Sequence, residues 1–208
     1  MKISGVITNN PAKMIYLEEI PMTTMQRMVV DSVKLGKDGK YELKTETGES
    51  RVYNLRLDQS EYPFAALIND SKNITVNATF SKENTQFADS YEVKGSEASQ
   101  QMKEFMTAFN TKLQAIFSNA RKADSLGKTT GNDSVISGLH TEILRISDEA
   151  KDLALRFIDK SNNAALSMFI LGYYQSTANS AGYYLPAMDK SEVVAIVDKI
   201  SEIGRAHV

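Results

Sequence analysis

Apolar residues in this chain follow two different periods, and the change falls at Tyr91-Glu-Val-Lys-Gly-Ser96. Before it they alternate in short runs divided by Gly, Asn, Asp and Pro. After it they recur every three or four residues over long stretches. That spacing predicts β-strands first and helices second. Strands are expected at 2–8, 13–20, 27–35, 40–45, 51–57, 64–68, 72–80 and 90–94. Tyr41 and Leu43 fall on one face of their strand, and Ile74, Val76, Ala78 and Phe80 on one face of theirs. In the 51–57 run, Val52 and Tyr53 blur the face. The 64–68 run is apolar almost throughout, as a central strand covered on both faces requires. Asn9-Asn-Pro11 is a turn signal, Pro21 is expected to end the second strand, and Gly36-Lys-Asp-Gly39 reads as a tight hairpin turn.

Eight strands at this spacing predict an antiparallel β-sandwich, because a single sheet would leave an apolar face in water at roughly 25 cal/mol per Å². A parallel α/β sheet is disfavoured, since no helical pattern lies between consecutive strands. The fold class expected is therefore α+β, with a sandwich over 1–95 and an α-helical region over 96–208.

In the helical region Ser96 is the expected N-cap, following a flexible Gly95. Met102, Phe105, Met106, Phe109, Leu113, Ile116, Phe117 and Ala120 form one stripe, and the helix should stop at Gly127 before a polar loop over 128–132. Val135, Leu139, Ile143, Ile146, Ala150, Leu153 and Phe157 form a second, nearly heptad stripe. The two helices should pack as a long antiparallel hairpin over about 97–160. Helices of this length reach roughly 40 Å, more than the width of a small sandwich, so part of the hairpin is expected to meet something else. Ser161-Asn-Asn163 should break the second helix and cap a third over 163–178. A last helix over 190–204 should open on an Asp189-Lys-Ser-Glu192 capping box and end at Gly204.

Composition narrows the partners. The 208 residues are 42% hydrophobic and 24% charged, with a net charge of −2, so the chain can bury a core and carries no basic stripe for nucleic acid. The longest apolar run, 164–171, is too short to span a bilayer. Met1-Lys2-Ile3 resembles the start of a signal peptide, but a turn follows instead of an apolar stretch, so the numbered chain reads as mature or trimmed. Cysteine is absent, which excludes disulfides, thiolate metal sites and cysteine nucleophiles within these residues. His140 and His207 are too few and too far apart to suggest a zinc site. His140 reads as a solvated or capped imidazole on a helix, and His207 lies in a frayed tail.

Four features invite a chemical reading. The Phe/Met stripe reads as core, with an adaptable partner surface as its rival. Tyr173-Tyr174 and Tyr183-Tyr184 flank a small-residue loop. One ring of each pair should pack inward and the other face out, which makes the four tyrosines the candidate partner contact. Glu18-Glu19 and Asp148-Glu149 are adjacent carboxylates, and adjacency does not set two carboxyls facing across a cleft; they read as solvated charges. Asn73, Asn77 and Asn132 begin N-glycosylation sequons, which matter only in a eukaryotic secretory setting. No catalytic, cofactor-binding or metal-binding residue is expected.

Three stretches taken together resemble a known family. Ile3-Ser-Gly-Val-Ile-Thr8 with Met14-Ile-Tyr-Leu17 matches its opening. Asp31-Ser32 followed by Asp38-Gly-Lys-Tyr-Glu-Leu43 matches its hairpin, and Tyr91-Glu-Val-Lys-Gly-Ser96 its exit into helices. The family is the β-sandwich domain of unknown function that precedes thioredoxin-like domains in Bacteroidetes lipoproteins, which are described as thiol-disulfide oxidoreductases or peroxiredoxin-like proteins. The resemblance covers residues 1 to about 96. It implies a non-catalytic module with a thioredoxin-like domain as partner in cis, beginning near the 203–208 tail. It also implies an extracytoplasmic, periplasm-facing location, lipid-anchored through a cysteine that precedes these residues. Positioning the redox domain, binding its client and forming a homodimer are the roles expected. A free-standing peptide- or glycan-binding module, or a structural dimerisation unit built on the hairpin, is the alternative.

Overall fold

A computed structural model describes residues 1–20, 26–46, 48–128, 133–180 and 182–206. The expected strand end at Pro21, positions 129–132 of the polar loop with the Asn132 sequon, and His207 lie outside the described residues. Two compact units are present, Met1–Met102 and Lys103–Val208.

The first unit holds eight strands: β1 (Lys2–Thr8), β2 (Met14–Glu19), β3 (Met28–Lys34), β4 (Lys40–Lys44), β5 (Val52–Leu57), β6 (Ala65–Ile68), β7 (Asn73–Phe80) and β8 (Ala88–Lys94). They form two four-stranded sheets, ordered β4-β1-β7-β8 and β3-β2-β5-β6. Alternation along each strand sends one face inward. Ile3, Ile7, Leu43, Ile74, Val76 and Phe80 of the first sheet share a core with Ile15, Leu17, Tyr53, Leu55, Leu57 and Leu67 of the second. The expected sandwich is present.

Three expectations need correction. Not every pairing is antiparallel: β1 and β7 run parallel, with Ile3 opposite Ile74 and Ile7 opposite Ala78. Parallel neighbours need a long crossover, and here five intervening strands supply it, so no helix is required. The 64–68 run is not central. β6 ends its sheet; Ala65 and Leu67 face the sandwich core, and on its other face Ile68 is buried while Ala66 is half-buried. The Gly36-Lys-Asp-Gly39 turn forms, with Gly39 at φ 74°, but it links β3 and β4 across the two sheets instead of closing a ladder.

The helices are α1 (Glu97–Leu126), α2 (Asp133–Lys160), α3 (Ala164–Ala178) and α4 (Lys190–Ala206). The boundary between the units falls inside α1. Within the second unit α1 and α2 are antiparallel: Phe105 packs edge-on to Phe157, and seven residues further along α1 the Lys112 ammonium meets Glu149, eight residues back in α2. The shared core takes Phe105, Phe109 and Ile116 from α1 and Ile143, Ala150 and Ala154 from α2, while Phe117 and Val135 of the two stripes stay about half exposed. Asn163 caps α3 by accepting the Leu166 N–H at 2.9 Å. The capping box of α4 forms as read: Asp189 accepts from the Glu192 N–H at 2.9 Å and Glu192 accepts from the Asp189 N–H at 2.8 Å. α4 passes through Gly204, since a helical glycine weakens a helix without ending it.

Candidate functional site

The four tyrosines have different environments. Tyr174 is fully buried and donates its hydroxyl to the Pro186 carbonyl at 2.6 Å. Burial, reinforced by Glu192, Asp148 and Asp152, pushes its phenol well above the ordinary range. It is a core residue, because α3 turns it onto Phe109 of α1 at 5.9 Å. Tyr173 is half-buried among Phe105, Phe109 and Phe169. Tyr183 packs edge-on to Phe117 at 5.7 Å. Tyr184 is 56% exposed and sits at φ 55°, a left-handed conformation that a bulky residue adopts only under constraint. The structure thus brings Tyr173 and Tyr174 into the aromatic core and leaves one ring of the four, Tyr184, mostly exposed.

The positions that carry the family resemblance have structural duties in the first unit. A Cβ on Gly5 would lie 1.7 Å from the Val76 carbonyl oxygen. Its absence lets the Tyr41 ring cross β1 and donate its hydroxyl to that carbonyl at 2.8 Å, with Tyr41 and Gly5 directly paired. Beside it, Asn77 Oδ1 accepts the Val6 N–H at 2.9 Å. Asp31 accepts from the Ser32 N–H and, at 2.7 Å, from the Lys44 N–H, tying the edge of one sheet to the edge of the other. Gly95 turns the chain at φ 85° with its α-carbon close to the Asn73 carbonyl, and Ser96 caps α1 by accepting the Ser99 N–H at 3.0 Å.

Glu18 is not a solvated charge. It is 1% exposed and receives Arg56 through Nε and Nη2, both at 2.8 Å, with Arg27 at 3.4 Å on its other oxygen. Arg56 lies 4.7 Å from the Tyr16 ring centroid and donates to the carbonyls of Leu57 and Ser60. Strand alternation does send Glu18 out of the sandwich core; sequence reading missed that two arginines, Arg27 nearby in the chain and Arg56 from β5, close over it. Glu19 pairs with Arg51. In the second unit Asp148 is exposed and Glu149 is shared by Lys112 and Arg145. His140 is exposed on α2, as read.

A cleft of 680 Å³ opens at one end of the sandwich, with Ile7, Leu35 and Ala12 among its apolar lining and Lys37, Lys82 and Asn9 among its polar one. Asn10, also in the lining, spends its amide on the chain itself, donating to the Thr85 carbonyl and accepting the Ala12 N–H. Among the described residues no group of three His, Asp or Glu side chains could hold a metal ion. No helix among them is long and apolar enough to cross a membrane.

Fold and site together define an α+β protein with a β-sandwich unit followed by helices, and its signature residues shape backbone. Residues 1–102 match the family described as "Domain of unknown function (DUF4369)". No curated protein matches the chain.

Proposed function

We propose that this chain is the non-catalytic N-terminal part of a thiol-disulfide oxidoreductase-like lipoprotein of the Bacteroidetes kind. In that reading it faces the periplasm and is lipid-anchored in the full-length protein. It positions a thioredoxin-like domain or holds that domain's client. One observation carries the reading: Gly5, Asp31, Gly95 and Ser96 spend their chemistry on backbone geometry and strand edges, so the motif shared with the family encodes a scaffold. A tethered scaffold contributes by proximity, holding a client near a reactive thiolate at high effective concentration. Sequencing the gene beyond the Val208 codon tests this. A thioredoxin fold with a Cys-x-x-Cys pair is the expected result, and an immediate stop codon overturns it.

A second reading, a peptide- or glycan-binding module, is favoured by Tyr184, whose ring is exposed and whose backbone is held at positive φ. It requires a saturable ligand for the isolated chain that is lost in Tyr184→Ala and retained in Lys37→Ala.

A further inference from the structure

The first turn of α1 does something a helix cap does not need to do. β6 ends its sheet and β8 ends the other, so each offers backbone groups with no neighbouring strand. The Ile68 N–H of β6 donates to Ser99 Oγ at 2.8 Å. The Ile68 carbonyl lies 3.3 Å from Ser99 Oγ and 3.4 Å from Ser96 Oγ. The two hydroxyls bond each other, and Ser96 Oγ also takes the Ser99 N–H. One residue later, Gln100 Nε2 donates to the Val93 carbonyl of β8 at 3.0 Å. Ala98 and Met102 are buried on the same stretch, and the Ala98 N–H is held by Asp70 at 2.9 Å.

Both polar groups of Ile68 thereby meet the donor and acceptor that an added strand would present. A helix has no free backbone groups to offer sideways, so hydroxyls stand in for them. The need is specific to this edge. Ala65-Ala-Leu-Ile68 has no charge and no proline within it, so apart from its shortness it lacks the side-chain devices that keep an edge strand from pairing with another chain.

We propose that residues 96–100 are a plug on the β6 edge, and that the Ser96–Ser99 pair keeps this edge from pairing with β6 of a second copy of the chain. While α1 is helical from its first turn, the edge is closed. When that turn frays, Ile68 becomes a strand acceptor.

The test uses the full chain, with amide hydrogen exchange at Ile68 read against Leu55 of the interior strand β5. Sedimentation over a range of concentrations runs in parallel. In Ser99→Ala, and more so with Ser96→Ala added, Ile68 should exchange at least roughly tenfold faster, the loss of about one net hydrogen bond. Leu55 should stay protected, and self-association should rise with concentration. Ser99→Thr, which keeps the hydroxyl, should restore the native pattern. Unchanged Ile68 exchange overturns the proposal, as does a strict monomer at every concentration. Equal loss of protection at Ile68 and Leu55 in the single variant also overturns it, because the serines would then support the whole domain and guard no edge.

Discussion

At Gly5 a side chain is excluded by a backbone atom and not by a movable neighbour. A Cβ would overlap the Val76 carbonyl, and β1 cannot retreat because it is paired on both sides. Gly5→Ala should therefore destabilise the first unit by about 3 kcal/mol or more in urea unfolding. Tyr41→Phe removes only the donor to a buried carbonyl and should lose about 1–3 kcal/mol. A gentler result for glycine than for tyrosine would contradict this assignment. Glu18 sets a parallel test: Glu18→Ala leaves Arg56 poorly compensated in a half-closed site and should lose about 3–5 kcal/mol, where a solvated glutamate would lose almost nothing. The sequence marked Gly5 as part of a motif but could not give its reason, since Val76 and Tyr41 approach it only through strand pairing. Glu18 was misread for the same cause.

Elements were the most legible level, because periodicity and caps are local properties of the chain. The stripe on α1 placed Phe109 at the centre of an aromatic cluster with Phe105, Tyr173 and Tyr174. Phe109→Ala should cost roughly 3–5 kcal/mol as a buried truncation; a loss below about 1 kcal/mol would mark the stripe as a surface. The α4 capping box was readable to the residue, and it gives a pH dependence with a definite sign. Ser191 and the Glu192 N–H hold the Asp189 carboxyl below its usual range. Lys151 and the Asp189 N–H do the same for Glu192. A depressed carboxyl stabilises the fold fully above its unfolded value, about 4, and loses that contribution as pH falls through the folded one. The second unit should thus weaken on acidification below about pH 4. Glu192→Gln should flatten that acid limb in a thermal-unfolding series, and an unaltered limb would rule the box out as its source. Where the element reading failed, a neighbour intervened. Tyr174 points inward because α1 lies against α3, and the 64–68 strand is a sheet edge whose Ile68 is bonded by the first turn of α1.

For the whole molecule, the change of period at 91–96 placed the handover from strands to helices but not the limit of the sandwich. The first compact unit runs to Met102, and Ala98, Ser99 and Met102 are buried. A fragment of residues 1–106 should unfold cooperatively, whereas one of 1–95, with the β6 edge uncovered, should be less stable by several kcal/mol or associate. Equal stability of the two fragments would show that the helical turn is dispensable. The residues by themselves determined strand and helix order, the N-terminal caps of α1, α3 and α4, the two-layer principle and the lack of cysteine thiols within the chain. All of these depend on local spacing or on residue type alone. Only the tertiary structure decided that β1 runs parallel to β7, that β3 and β4 bridge two sheets, that Glu18 is enclosed by arginines and that a helical turn seals a strand edge. These depend on which elements meet in space, not on the local spacing of residues within one element. Their energies depend on which surfaces meet, and no periodicity records that.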